Sequence, residues 1–313
     1  MKFQKIYQLR VQMPYPNGGT LENPKGGEWV VIKLPVTIEF TVDRTAYASS
    51  NTTAIKIYNL SQATRSKLFH DRFLYPDPLS PRSPLNEVRH VELYGGYEGE
   101  NQALSLMFSG YLFYGNSTRK GPDMITELEC MDPGVWTYNS ISSRNFRKGS
   151  TEADIIKGLL LDMGYKNAIV GTSFESKIYS PNRDAALHGD AMKIIDDIKG
   201  DGIFTIDNGV PLVLGKDETT AGAIMPTIDS SSGLLNVPVK TNQALIVPLM
   251  FTPQLQVGQM VTIRAQETMR YSDYNGEYQV VGVRHQGMIS GSHDTQTTTT
   301  SSLRIHAKIG IGQ

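Results

Sequence analysis

The sequence predicts an α+β protein, mainly β, arranged as two small antiparallel β-barrels with a helix-and-hairpin insert between them. Three observations carry this expectation. Apolar and polar residues alternate through the first third of the chain and again after about Val237, the spacing turns helical at Ser150, and five or more strands fall within about 100 residues, as closed or sandwiched β architectures require. The 313 residues suggest about two domains of roughly 150 residues each. The expected boundaries are 1–135 for the first barrel, 136–235 for the insert and 236–313 for the second barrel.

In the first segment every second side chain from Val36 to Asp43 is apolar, which puts one face on a core and the other in water. The same signal returns in Ile55-Lys56-Ile57, Val91-Glu92-Leu93, Leu104 to Ser109 and Met124 to Cys130. Ser61 is placed to cap a short helix over 61–70. Pro76, Pro78, Pro81 and Pro84 lack backbone donors, so Tyr75 to Pro84 reads as an exposed extended loop of the kind used for contacts.

In the insert, Ile155, Ile156, Leu159, Leu160 and Met163 repeat at helical spacing over about 151–163, with Ser150 or Thr151 as cap and Gly164 beyond the end. A second helix, near 190–199, carries Ala191, Ile194, Ile195 and Ile198 between Asp190 and Gly200. A hairpin over 203–214 follows, turning at Asn208-Gly209. The last segment returns to strands at Ala244 to Val247, Met260 to Ala265, Glu277 to Arg284 and Leu303 to Lys308. Asn275-Gly276 marks a tight turn there, and Gly287 to Ser302 reads as a long polar excursion.

Composition excludes several function classes. Thirty Lys and Arg against 31 Asp and Glu leave a net charge of -1, too weak a field to draw in nucleic acid or an anionic membrane. Cys130 is the only cysteine, so no intrachain disulfide forms, and it reads as a small buried apolar side chain. The N-terminal residues are interrupted by Gln, Lys and Arg before a signal-peptide apolar region develops. The longest apolar stretch, Ala244 to Phe251, is broken by Pro248 and falls short of the roughly 18 residues of a membrane span, so the chain reads as soluble.

No catalytic constellation emerges. His70, His90, His188, His285, His293 and His306 are scattered without metal-ligand spacing, so no metal and no cofactor are expected. His293-Asp294 beside Ser290 and Ser292 lies in a polar loop that would not hold catalytic geometry. Asp196-Asp197 falls on a helix, where adjacent residues diverge, and reads as a solvated face and not as a glycosidase pair. Gly95-Gly96-Tyr97-Glu98-Gly99 lacks dinucleotide-binding spacing and reads as a hairpin turn. There is no phosphate-binding loop ending in Gly-Lys-Ser/Thr. The chain is expected not to be an enzyme, with no catalytic, cofactor-binding or metal residue to nominate.

The order of structural motifs carries a resemblance. Thr53 to Ser61, Thr64-Arg65, Glu92-Leu93-Tyr94-Gly95-Gly96-Tyr97 and Phe108-Ser109-Gly110-Tyr111-Leu112 are followed by the 150–163 helix and the 190–214 helix-hairpin. Ser232 to Leu235, Leu249 to Gly258, Asn275 to Tyr278, Val283-Arg284-His285 and Gly287 complete the series. In this order they resemble the baseplate hub proteins of contractile-tailed bacteriophages. The resemblance implies two tail-tube-like barrels per chain and a homotrimer that presents six barrels and joins a sixfold tube to a threefold spike. The implied partners are further copies of the chain, the tail tube protein, the central spike protein and other baseplate proteins, with DNA only in transit through the lumen. The implied place is the virion's tail baseplate, with synthesis and assembly in the host cytoplasm. It transfers no catalytic residue, because the matching positions are turn glycines, caps and strand alternation.

Two other classes stand beside this reading. A tail-associated peptidoglycan hydrolase would need an opposed carboxylate pair, and none stands out among the 31 acidic residues. A carbohydrate- or receptor-binding tail module would use exposed aromatics, but Tyr94, Tyr97, Tyr111 and Tyr278 fall on strands or strand ends, where cross-strand packing accounts for them.

Overall fold

Alternation of apolar and polar side chains sets the strands, and side-chain caps set the helices. The computed structural model describes residues 4–13, 27–46, 51–70, 89–99, 104–132, 140–216, 218–220, 227–229, 231–241, 244–264, 274–291 and 298–304. The first segment holds β1 (Lys5–Gln12), β2 (Trp29–Lys33), β3 (Ile38–Thr45), β4 (Thr52–Tyr58), α1 (Gln62–Leu68), β5 (His90–Tyr97), β6 (Ser105–Lys120) and β7 (Asp123–Met131). Next come β8 (Ile141–Phe146), α2 (Glu152–Asp162), β9 (Ile169–Val170), β10 (Ala185–Asp190), α3 (Ala191–Lys199), β11 (Ile203–Asp207) and β12 (Val210–Leu214). The chain then forms β13 (Thr227–Ile228), β14 (Val239–Lys240), β15 (Ala244–Met250), β16 (Met260–Ile263), β17 (Gly276–Ile289) and β18 (Thr298–Arg304). The fold class is α+β and mainly β.

The three helices begin where the sequence places caps. The Ser61 side chain accepts from the Thr64 amide at 3.2 Å. Thr151 and Asp154 form a reciprocal capping box at the start of α2. Asp190 accepts from the Met192 amide at 2.9 Å, and Gly200 closes α3.

The strands from both ends of the chain form one sheet in the order β14-β15-β18-β17-β3-β4-β7-β6-β5-β1-β2, with β16 beside β17 and β13 beside β16. The join is β3 on β17, antiparallel from Thr45 opposite Gly282 to Ile38 opposite Ile289. Closure of either strand group into a barrel is not seen among the described residues; the path has two ends, β14 and β2. The insert carries a two-stranded sheet, β8 with β10, and a three-stranded one, β11-β12-β9.

Apolar side chains gather in three clusters that interlock across the segments. The first is built on β1 and β3 to β7 and also takes in Phe251 and Ile289 from the far end of the chain. The second lies on β15 to β17 and takes Ala46 from beyond β3 and Ile203, Leu212 and Leu214 from the insert hairpin. The third joins α2, α3, Phe174, Phe204 and Val213.

Three local expectations are corrected. Gly95 and Gly96 are not a turn but lie inside β5, paired with Tyr7 and Ile6 of β1. A Cβ on Gly95 would stand 2.6 Å from the Phe251 ring and 2.9 Å from the Met107 sulfur, so the glycine is there to admit Phe251. The stretch from Gly287 to Ser302 is strand in part, because β17 runs to Ile289 and β18 begins at Thr298. Threonine is β-branched and favours extended backbone, so polarity alone does not keep a Thr run out of a sheet. Asn275-Gly276 does not join two strands by itself; β16 ends at Ile263 and Gly276 opens β17, so the pair closes a longer connection. The proline loop from Tyr75 to Pro84 lies outside the described residues.

Candidate functional site

Where the three clusters meet, polar side chains form a junction. The insert hairpin turns at Asn208 and Gly209, both with positive φ (52° and 79°), which suits the two-residue turn that follows a strand's twist. That turn delivers Asp207 and Asn208 to the main sheet. The Asn208 side-chain oxygen accepts from the Ser109 amide of β6 at 2.7 Å, and its own amide donates to Asp132 at 3.0 Å. Asn51 donates to the Ile206 carbonyl at 3.0 Å, and the Thr205 hydroxyl donates to the Thr45 carbonyl at 3.1 Å.

Arg44 lies at the centre of this junction. Its side chain is 1% exposed, and Nη2 donates to the Asp207 carboxylate at 2.5 Å while Nη1 donates to the Met107 carbonyl at 3.3 Å. It shares the buried face of β3 with Ile38, Phe40 and Val42. The alternation noted from Val36 to Asp43, continued by one residue, would have put Arg44 on the core side; that signal was there to be read. His285 of β17 is fully buried next to Phe251, with ring centroids 6.1 Å apart. Burial, with the Arg44 charge adding to it, pulls its imidazole down to about 3. The junction is a clamp between the insert hairpin and the main sheet.

The other histidines are dispersed. His70 is buried where it bridges Gly115, His90 packs between Trp29 and Tyr111, and His188 is exposed on β10. His293, Asp294 and His306 lie outside the described residues. Asp196 and Asp197 are both exposed on α3, with Asp196 paired to Lys199 at 3.2 Å. Among the described residues no group of three His, Cys, Asp or Glu could hold a metal ion. Cys130 is a free, buried thiol, raised far above its usual range by burial and then by the charge of Glu129.

One end of the sheet exposes apolar side chains. β15 reads Ala-Leu-Ile-Val-Pro-Leu-Met, apolar on both faces, and only Leu245, Val247 and Leu249 reach the core. The other face, with Ile246, Pro248 and Met250 (41% exposed), lies beside Leu235 and Val239, which are 51% and 60% exposed. At the opposite end, Val31 of β2 is 47% exposed. Apolar groups exposed at a sheet end mark a surface suited to another protein. No helix among the described residues is long and apolar enough to cross a membrane.

The same architecture occurs in solved structures of other proteins. The tail protein from Neisseria meningitidis MC58 has the same fold, with a TM-score of 0.56 at 11% identity over 96% of both chains. The 43 kDa tail protein of prophage MuSo2 from Shewanella oneidensis gives 0.54 at 9% identity, over 98% of this chain and all of that one. The E. coli c3393 protein, a type VI secretion component similar in structure to the T4 bacteriophage tail proteins gp27 and gp5, gives 0.51 at 9% identity, over 87% and 74% of the two chains. No curated protein matches in sequence. These three likenesses show a shared fold. The baseplate hub gp41 family matches residues 9–299, and the chain belongs to that family. Its role is structural, as a component of the virion's tail.

Proposed function

We propose that the chain is the hub of a contractile tail baseplate: a homotrimeric adaptor that joins the sixfold tail tube to the threefold central spike and forms part of the DNA passage. The observation that carries this reading is the β3–β17 ladder, through which the two strand groups of one chain share a single sheet. Two tube-like groups per chain, divided near residues 135 and 235 by the insert, give a trimer six such groups. Force applied to one group passes to the other through backbone hydrogen bonds and interlocked cores.

Copies meet through the two different ends of the sheet, β14 and β2, in a heterologous contact that closes into a ring. Tube, spike and other baseplate proteins occupy the remaining faces, and assembly takes place in the host cytoplasm. The net charge of -1 suits a passage that does not hold the genome back. The chain acts mechanically and turns over no substrate.

Light scattering on the purified protein mixed with tube and spike proteins tests the assembly, with three copies per complex expected. A monomer in the presence of both proteins refutes it. Tight binding of duplex DNA at physiological salt refutes the account of the passage.

A further inference from the structure

The insert carries a cleft that the assembly described above does not use. Its volume is about 410 Å³, and Glu152 of α2, Tyr179, His188 of β10, and Ile194, Asp197 and Ile198 of α3 line it. The helix α3 explains the apolar part. Ala191, Ile194, Ile195 and Ile198 follow the spacing of one apolar stripe, but only Ala191 and Ile195 are fully buried against α2 and its neighbours. Ile194 and Ile198 touch that core along one edge and turn the other to the cleft. The stripe is wider than the core beneath it.

The polar part has one sign. Two carboxylates line the cleft, and among the described residues no lysine or arginine does, Lys177 standing outside it at the far limit of ion-pair distance from Glu152. Glu152 Oε2 is shielded from solvent without a hydrogen-bond partner, and Lys177 Nζ stays 3.9 Å away, too far to donate. A shielded carboxylate oxygen calls for a donor. Asp197 has no ion pair among the described residues. The absence of a metal-holding group among those residues makes an organic cation, an ammonium or guanidinium, the fitting donor.

We propose that this cleft docks a segment of a neighbouring baseplate protein that presents a lysine or arginine beside an aliphatic or aromatic side chain. The cationic head meets Glu152 and Asp197, and the apolar side chain covers Ile194, Ile198 and the Tyr179 ring. The occupant is a different chain because contacts between copies run through the ends of the main sheet, whereas the cleft is built on the insert's own helices and its β8–β10 pair. The inference rests on the hub reading for the presence of such a neighbour.

The test uses virions in which Tyr179 is replaced by the photo-crosslinking residue p-benzoylphenylalanine. Irradiation is expected to give one adduct, whose attached peptide, read by mass spectrometry, comes from another baseplate protein and holds a lysine or arginine next to an apolar residue. Asp197→Lys, at an exposed position that leaves folding intact, lowers the adduct yield about tenfold, as reversing an interfacial charge does. Glu152→Gln, which keeps the shape of the side chain, lowers it as well.

Virions that contain the variant but yield no adduct overturn the proposal. So does an adduct to a second copy of this chain, an attached peptide without a basic residue, or a yield that Asp197→Lys leaves unchanged. Absence of the unmodified protein from purified virions refutes instead the hub reading, so the two failures are told apart.

Discussion

Arg44 and Asp207, 163 residues apart in sequence, are joined at 2.5 Å in the buried junction between the main sheet and the insert hairpin. Removing one partner leaves the other charge buried, so Asp207→Ala is expected to cost about 3–5 kcal/mol. The pair is itself not fully satisfied, since Arg44 Nε and Asp207 Oδ1 have no hydrogen-bond partner. Replacing both, as Arg44→Met with Asp207→Leu, is therefore expected to recover most of that loss. Urea unfolding of the two variants and the parent measures it; a double variant no more stable than Asp207→Ala counts against the clamp.

Gly95 and Phe251 form a second long-range pair. The glycine leaves the space that the Phe251 ring fills, and the ring also lies about 6 Å from Phe40 and Tyr97, between centroids. Gly95→Ala forces the ring or Met107 aside and is expected to destabilise by about 1–3 kcal/mol. Phe251→Ala alone costs about 3–5 kcal/mol. In the double variant the two losses should sum to less than their separate values, because the alanine then has room. A double-mutant cycle by thermal or urea unfolding checks this, and strict additivity would show that the two residues do not share the space.

The contrast between these features shows what the sequence carried. Strands β3, β4, β7 and β15 and all three helices were legible, because alternation and capping act within a few residues. The clamp and the Gly95 slot were not, because each depends on partners more than 150 residues away. Gly95 and Gly96 look like a turn until Phe251 is seen against them. The threonines of β18 look like loop because they are polar and do not alternate, whereas what holds them is the backbone pairing to β17 and β15. The sheet's continuity through β3 and β17 was likewise hidden, since each strand alone fits a separate barrel. Arg44 is the exception: its register on β3 was readable, but what it binds was not.

His285 makes the fold sensitive to acid. Its imidazole is held neutral, with the folded value near 3 against an ordinary 6.5, first by burial and then by the Arg44 charge. The unfolded chain takes up a proton below about pH 6.5 and the folded chain does not until about pH 3, so stability is full above that window and falls as pH drops through it. The slope this one group contributes is about 1.4 kcal/mol per pH unit inside the window. His285→Gln, which keeps a polar side chain but does not titrate, is expected to flatten the dependence of the unfolding free energy on pH between 6 and 4. An unchanged slope would place the acid sensitivity elsewhere.

The capping box of α2 offers a way to measure how independent the insert is. Thr151 Oγ1 accepts from the Asp154 amide at 3.1 Å, and the Asp154 carboxylate accepts from the Thr151 amide at 3.0 Å. The bond from the Thr151 amide, with a further one from the Thr151 side chain, holds the Asp154 carboxyl below its usual range. Thr151→Ala removes one half of the box and is expected to cost about 1 kcal/mol. Thr151→Ala with Asp154→Ala should cost less than the sum of the single changes, because the two bonds support each other. The insert has its own apolar cluster but is bound to the main sheet at the junction, so the loss can appear in either of two ways. If the insert opens on its own, amide exchange at Ile155 and Ile156 speeds up while amides of β17 such as Val283 keep their protection. If the Arg44–Asp207 clamp makes the chain one cooperative unit, both sets speed up together; the interlocked cores favour the second result, and selective exchange in α2 would contradict it.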